Sequence, residues 1–139
     1  LASEKQKSKS KPVKRKIKNA SILIIEDEHI LRELLAQLFV SKGCQVVTVT
    51  SGLEGLRRLK RKKFDLVLAD SKTLDVNGTG LVKKSKKMNR ELPIVIMTRD
   101  ETRDEFNKSN RSGADLVINK PLEMNKVVKQ VTDVLMFKA

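Results

Sequence analysis

The chain has 139 residues, enough for one domain with its own core, and its formal net charge at pH 7 is +13. No apolar stretch approaches the roughly 18 residues of a membrane span, and no signal-peptide apolar region is visible, which favours a cytoplasmic protein without a membrane partner. The single cysteine, Cys44, excludes an internal disulfide and suits a reducing compartment.

Over half of the excess charge lies at the N-terminus. Residues 1–19 carry eight Lys and Arg side chains against one glutamate, a net of +7, and have almost nothing apolar to bury. We therefore expect residues 1–20 to form a flexible basic arm or linker and residues 21–139 to fold. The arm would favour solubility. Nonspecific attraction to nucleic acid and a tether to an upstream domain are the alternatives, and no specific nucleic-acid binding is expected.

Five apolar runs recur along the rest of the chain at intervals that leave room for helices. They are nearly continuous rather than alternating, as expected for strands covered on both faces. The runs are Ile22–Ile25, Val46–Val49, Leu66–Ala69, Ile94–Met97 and Leu116–Ile118.

Helical periods of apolar residues separate the first three runs. The first period is closed by Gly43, a residue suited to the left-handed position after a helix. The second opens at Ser51 with Glu54 three residues later, the pair of a capping box. Their stripes are Leu31, Leu34, Leu35, Leu38 and Phe39, then Leu53, Leu56 and Leu59.

Three further helical segments follow with unequal apolar content. Residues 81–88 have a weak stripe that includes Met88, residues 101–112 have only Phe106 as a large apolar side chain, and residues 124–135 have a clear stripe. Strands alternating with helices through right-handed crossovers predict an α/β protein, a (βα)5 chain folded as a doubly wound parallel sheet.

Polar side chains follow or closely follow four of the predicted strands. Glu26 and Asp27 come after the first strand, Asp70 after the third, Thr98 after the fourth and Lys120 shortly after the fifth. The carboxyl ends of parallel strands meet at one edge of a sheet, where ligands of such sheets bind. Three carboxylates that close to one another repel, so the cluster calls for a bound cation or a proton.

In this order the chain resembles the receiver domain of two-component response regulators. The resemblance covers roughly residues 21–136 and implies a flavodoxin-like five-stranded fold with strand order 2-1-3-4-5. The matching stretches are Ile24–Glu28, Pro93–Thr98 and Asn119–Pro121, together with Asp70 and Gly78 eight residues after it.

The resemblance implies a phosphorylation site at Asp70. This carboxylate would be the nucleophile that takes a phosphoryl group from a histidine kinase or phosphotransfer protein. Mg²⁺ would be held by Glu26, Asp27, Asp70 and the main-chain carbonyl of Lys72, since oxygen ligands suit this ion. Such a domain is a signalling module rather than a conventional enzyme.

The resemblance also implies roles around the phosphoryl group. Lys120 would pair with phosphoryl oxygens, Thr98 would hydrogen-bond to one of them, and the Lys120–Pro121 peptide bond would be cis. The phosphorylated domain would signal through its surface, to an output domain or a protein target.

Four positions depart from the family pattern. Lys72 could reach the carboxylates and partly replace Mg²⁺, and Leu74, in place of the usual proline, would loosen the loop of residues 71–77. Arg99 stands where relatives have a small residue and would crowd the phosphoryl group. Val117 replaces the usual aromatic switch residue. These departures support an alternative, a pseudo-receiver that keeps the fold but binds partners without phosphorylation.

Other readings of single features are weaker. A haloacid-dehalogenase-type phosphatase needs a second acid where Lys72 stands, and no glycine-rich phosphate loop occurs. His29 is expected to be a solvated residue at a helix entry, and Cys44 a small packed residue rather than a nucleophile. The basic runs 57–63 and 83–90 are expected to be solvated helix faces or a docking surface for an acidic partner.

Overall fold

A five-stranded parallel sheet forms the centre of the protein. The computed structural model describes residues 17–76, 79–99 and 113–138, so the predicted helix over 101–112 lies outside the described residues. The strands are β1 (Ser21–Ile25), β2 (Gln45–Val49), β3 (Leu66–Asp70), β4 (Ile94–Thr98) and β5 (Leu116–Asn119). Their spatial order is β2-β1-β3-β4-β5 and every neighbouring pair is parallel. The predicted strand order is confirmed.

Four helices in the described part of the chain cover the two faces of the sheet. They are α1 (His29–Ser41), α2 (Gly52–Arg61), α3 (Leu81–Met88) and α4 (Met124–Lys138). Successive residues of a strand point to opposite faces. In β1, Ile22 and Ile24 pack with α1 and α4, whereas Leu23 and Ile25 pack with α2 and α3. Each of these side chains is fully buried, and the burial of each contributes about 1.5–3 kcal/mol to the stability of the fold.

The predicted helix signals are confirmed, although the apolar stripes are narrower than expected. Gly43 follows α1 with φ +89°, and the Ser51 hydroxyl accepts a hydrogen bond from the Glu54 backbone N–H at 3.2 Å. Leu34, however, is 49% exposed, and Leu53 and Met88 are exposed by similar fractions. A helix resting on one face of a sheet buries a narrow strip, and α1 fills that strip with Leu35 and Phe39.

Residues 17–20 pack against the turn between α1 and β2. The Asn19 backbone N–H donates to the Gly43 carbonyl at 2.8 Å, and the Cys44 thiol donates to the Ile17 carbonyl at 2.9 Å. Burial and the nearby Asp65 carboxylate raise the pKa of the Cys44 thiol to about 11. Cys44 is therefore the packed residue that the sequence predicts. Residues 1–16 lie outside the described ranges, so the flexible arm stays a prediction.

In those same ranges, no helix combines the length and the hydropathy that a membrane span requires.

Gly52 allows α2 to begin in contact with the loop that follows β3. A Cβ atom at this position would overlap the carbonyl oxygen of Thr73 and would lie 2.7 Å from Cγ2 of Val76. The loop opens with a 3-10 turn, Ser71–Thr73, and continues into a two-residue strand, Asp75–Val76. The absence of a side chain at Gly52 therefore sets the position of the segment that follows Asp70.

We expect Gly52→Ala to lower the free energy of unfolding by about 1–3 kcal/mol, the usual cost of overpacking. Gly55→Ala is the matched control, because it makes the same chemical change within α2. Its Cβ would meet the side chain of Ile25, whose terminal methyl can rotate, rather than backbone. Urea denaturation should show the larger loss for Gly52→Ala. The reverse ranking would contradict the tight approach to the Thr73 carbonyl.

Candidate functional site

Three carboxylates converge at the carboxyl edge of the sheet, as the sequence predicts. Glu26 and Asp27 directly follow β1, and Asp70 is the last residue of the neighbouring β3. One oxygen from each carboxylate lies within 4.8 Å of the others. Glu26 and Asp70 are buried, whereas Asp27 is exposed. The cluster therefore has a closed inner side and an open outer side.

The ammonium group of Lys120 lies between the two buried carboxylates. Its Nζ atom is 2.9 Å from Oε1 of Glu26 and 2.6 Å from Oδ1 of Asp70, and its side chain is 7% exposed. The Lys120 backbone N–H donates to the Thr98 carbonyl at 2.8 Å, and the Lys120–Pro121 peptide bond is cis. The end of β5 is thereby joined to the end of β4, and the lysine side chain is directed into the cluster.

Backbone N–H groups hold the second oxygen of each buried carboxylate. The Glu28 N–H donates to Oε2 of Glu26 at 3.1 Å, and the Lys72 N–H donates to Oδ2 of Asp70 at 2.9 Å. The Thr73 hydroxyl donates to the Asp70 carbonyl at 2.6 Å. Both carboxylates are thus fixed by one ammonium and one backbone donor each, which fixes their orientation before any ligand arrives.

Burial changes the proton affinities in this cluster. Burial raises the pKa of Glu26 above its ordinary value, although the hydrogen bond from Lys120 opposes this change. For Lys120, burial alone would lower the pKa of the ammonium, but hydrogen bonds to Asp70 and Glu26 outweigh it and raise the pKa. Lys120 therefore stays charged at neutral pH.

The donor set of the cluster fits a hard divalent cation. Three carboxylates and one ammonium have a formal net charge of −2, and the ligand atoms of the cluster are oxygens, which Mg²⁺ prefers. The exposed Asp27 leaves the cluster open on the side from which an ion would enter. Thr98, the last residue of β4, is buried beside Lys120 at the same edge.

Two of the departures from the family pattern lie beside the site. The side chain of Lys72 is exposed. Among the described ion pairs, the ammonium that contacts the carboxylates of Glu26 and Asp70 belongs to Lys120. Arg99 turns outward to Glu28, with its Nη2 atom 2.8 Å from Oε2 in a pair that is about half exposed. The backbone N–H of Lys72, rather than its ammonium, therefore contacts Asp70, and the alternative in which the ammonium partly replaces Mg²⁺ is not what the structure has.

The other two departures concern packing. Leu74 is half-buried, and its carbonyl accepts from the Leu81 N–H at 2.7 Å, which ties the loop to the start of α3. Residues 77 and 78 lie outside the described part of the loop. Val117 is half-buried and packs on the side of the sheet covered by α2 and α3.

Sequence reasoning missed Arg32 as a support of the site. Its Nη1 atom donates to the Glu26 carbonyl at 3.0 Å, and its Nη2 atom donates to Nδ1 of His29 at 3.0 Å. His29 is exposed at the first residue of α1, as predicted. An arginine in the first turns of a helix has no distinguishing pattern, so the sequence offered no signal for this contact.

Comparison with known proteins identifies a family whose sequence pattern the chain matches. Residues 22–132 match the family model of the response regulator receiver domain. The chain is 29% identical to sporulation initiation phosphotransferase F of Bacillus subtilis (strain 168) over 121 residues, which cover 87% of this chain and 98% of that protein. It is 30% identical to transcriptional regulatory protein GlrR of Escherichia coli (strain K12), covering 85% of this chain and only 27% of that protein.

A solved structure agrees with the topology. The response regulator receiver domain protein (CheY-like) of Methanospirillum hungatei JF-1 superposes with a TM-score of 0.79 at 25% sequence identity. The superposition covers 86% of this chain and 95% of that one.

We expect Glu26→Gln to raise the free energy of unfolding at pH 7. The pKa of Glu26 is higher in the folded protein than in the unfolded chain, so the ionisation of this carboxyl lowers the free energy of unfolding. This loss develops as the pH rises above the ordinary pKa of 4.5, and it is absent well below that pH. The gain should therefore shrink as the pH falls toward 4.5. Urea denaturation with a chelator present, from pH 4 to 8, measures this difference.

Glu33→Gln, which changes an exposed glutamate of α1, is the control and should stay within about 0.5 kcal/mol of the wild type. A Glu26→Gln protein that is less stable than the wild type at pH 7 would show that the bonds from Lys120 and Glu28 outweigh the cost of burial.

Proposed function

The chain belongs to the response regulator receiver domain family, and we propose that it takes a phosphoryl group onto Asp70 from a histidine kinase or a phosphotransfer protein. Receiver domains are phosphoacceptor signalling modules rather than conventional enzymes. Glu26, Asp27 and Asp70 form the acidic pocket of this one. The observation that carries the proposal is the buried Asp70 carboxylate in this pocket, with the Lys120 ammonium 2.6 Å from it.

Asp70 has the properties of a carboxylate nucleophile. Its oxygens are oriented by Lys72 N–H and Lys120, and each keeps a lone pair that can attack phosphorus. In the transfer, an Asp70 oxygen forms a bond to phosphorus while the bond from phosphorus to the donor nitrogen breaks. The donor imidazole leaves with that electron pair.

The cationic groups around Asp70 would stabilise the negative charge of the phosphoryl group. Lys120 is the resident charge, and its flexible stem allows the ammonium to move from the carboxylates to phosphoryl oxygens. The Thr98 hydroxyl, at the end of the adjacent strand, would donate to another phosphoryl oxygen. Mg²⁺ bound by Glu26, Asp27, Asp70 and the Lys72 carbonyl would neutralise charge on the incoming phosphoryl group.

The exposed side chain of Lys72 supports phosphorylation over a pseudo-receiver that works without phosphate. A lysine that occupied the acidic pocket in addition to Lys120 would cancel most of its negative charge. The pocket instead keeps the excess of two negative charges that a divalent cation balances.

The partner, the output and the division of the chain remain part of the proposal. We propose a basic arm over residues 1–20 and a receiver domain over 21–139, with a histidine kinase or phosphotransfer protein as phosphodonor. The chain spans 27% of the length of the GlrR protein, so any output domain or protein target belongs to this proposal as well. The cytoplasmic location stays a prediction.

We expect Asp70→Asn to abolish phosphorylation by a small phosphodonor such as acetyl phosphate in the presence of Mg²⁺, because an amide is not a nucleophile toward phosphorus. Intact-mass measurement would follow the added phosphoryl group. Asp133→Asn, in an exposed position of α4, is the matched control and should be phosphorylated like the wild type. An unmodified wild type at saturating donor and Mg²⁺ would overturn the proposed function.

We expect Asp27→Asn to weaken Mg²⁺ binding by about tenfold or more, equivalent to about 1.4 kcal/mol, because it removes one charged ligand from the pocket. The chain has no tryptophan or tyrosine, so calorimetric titration is preferable to intrinsic fluorescence. Glu33→Gln provides a matched loss of charge outside the pocket. Equal Mg²⁺ affinities for the two variants would contradict the assignment of Asp27 as a ligand.

A further inference from the structure

A cleft of about 640 Å³ lies where α2 and α3 end. Its floor is apolar and its rim is basic: the floor includes Leu59, Phe64, Met88 and Leu92, and the rim is formed by the four consecutive cations of residues 60–63. Met88 is 42% exposed, so part of this apolar surface is open to water.

The cleft lies at the edge of the sheet opposite the acidic pocket. Phe64 and Leu92 precede β3 and β4 by a few residues, and the amino ends of parallel strands share the edge away from their carboxyl ends. Asp70 and Lys120 occupy the carboxyl edge. The cleft is therefore a separate surface that the phosphoacceptor chemistry does not use.

The positive charge around the cleft exceeds what the fold requires. Residues 57–63 and 83–90 carry eleven Lys and Arg side chains, four of which line the cleft, and the acids next to these runs are Asp65 and Glu91. Two helix C-termini supply only about −0.5 charge each. Lys86 has a structural role, since its Nζ atom donates to Asp115 at 2.9 Å and to the Leu92 carbonyl at 2.8 Å. Most of the remaining cations repel one another, which favours an acidic partner.

We propose that this cleft docks an acidic segment of a partner protein that inserts an apolar side chain between its carboxylates. Carboxylates match the basic rim, and an aliphatic side chain matches the apolar floor. A nucleic acid would match only the rim, because it has no aliphatic side chain for the floor. Phe64, the aromatic ring of this cleft, is buried and offers no stacking surface to a base.

The test uses the full chain and a synthetic peptide of about 18 residues. The peptide carries leucine at every third or fourth position and glutamate elsewhere. A second peptide has serine in place of each leucine, and duplex DNA is the third probe. Since the basic arm is present throughout, the serine peptide also measures attraction to the arm. The leucine peptide should bind at least about tenfold more tightly than the serine peptide.

Charge reversal on the rim should weaken this binding specifically. Lys60→Glu with Lys63→Glu should lower the affinity for the leucine peptide by about tenfold or more. Lys126→Glu with Lys129→Glu makes the same change in net charge on α4, which covers the other face of the sheet, and should lower it by less than about threefold. Met88→Gln should weaken binding of the leucine peptide and leave that of the serine peptide unchanged.

Three results would overturn the proposal. The first is equal binding of the leucine and serine peptides, which would remove the role of the apolar floor. The second is an equal loss of affinity in the rim and α4 double variants, which would reduce the effect to net charge. The third is duplex DNA that binds more tightly than the leucine peptide and loses affinity only in the rim variant, which would make the face a nucleic-acid surface.

Discussion

The ammonium of Lys120 between the carboxylates of Glu26 and Asp70 is the interaction on which the site depends. Two carboxylates buried this close would repel each other and would be costly to desolvate, and one shared cation offsets both effects. The fold obtains this arrangement by ending β1, β3 and β5 at one edge and by holding the second oxygen of each carboxylate with a backbone N–H. The acidic groups are thereby kept close together, and the exposed carboxylate of Asp27 lies on the side from which a cation would bind.

The sheet makes such an arrangement rigid. Its central strands are buried on both faces, and the core is almost entirely aliphatic. The loops are held by specific close approaches as well. The contact of Gly52 with the Thr73 carbonyl positions the segment after Asp70, and the hydrogen bond from Leu81 N–H to Leu74 links that segment to α3. The nucleophile is therefore supported by the same packing that stabilises the domain.

The two edges of the sheet have opposite electrostatic character. The carboxyl edge has the acidic pocket, and the amino edge has the basic cleft between α2 and α3. Both helices run from the first edge to the second, because each crosses back antiparallel to the strands. Phosphoryl chemistry and the proposed docking of an acidic segment therefore use different surfaces that share two helices.

The five strands, the end of α1, the start of α2 and the residues of the acidic pocket could be predicted from the sequence. These features depend on local signals: apolar runs, the Ser51 cap, Gly43 after α1, and acids placed at strand ends. Three outcomes are visible only in the folded protein: the ammonium of Lys72 stays outside the pocket, Arg32 supports Glu26, and Leu34 faces solvent. These outcomes depend on how separate segments pack. The strand-end positions predict that Lys120 lies near Glu26, 94 residues away along the chain, but they do not specify which oxygens the Lys120 ammonium contacts.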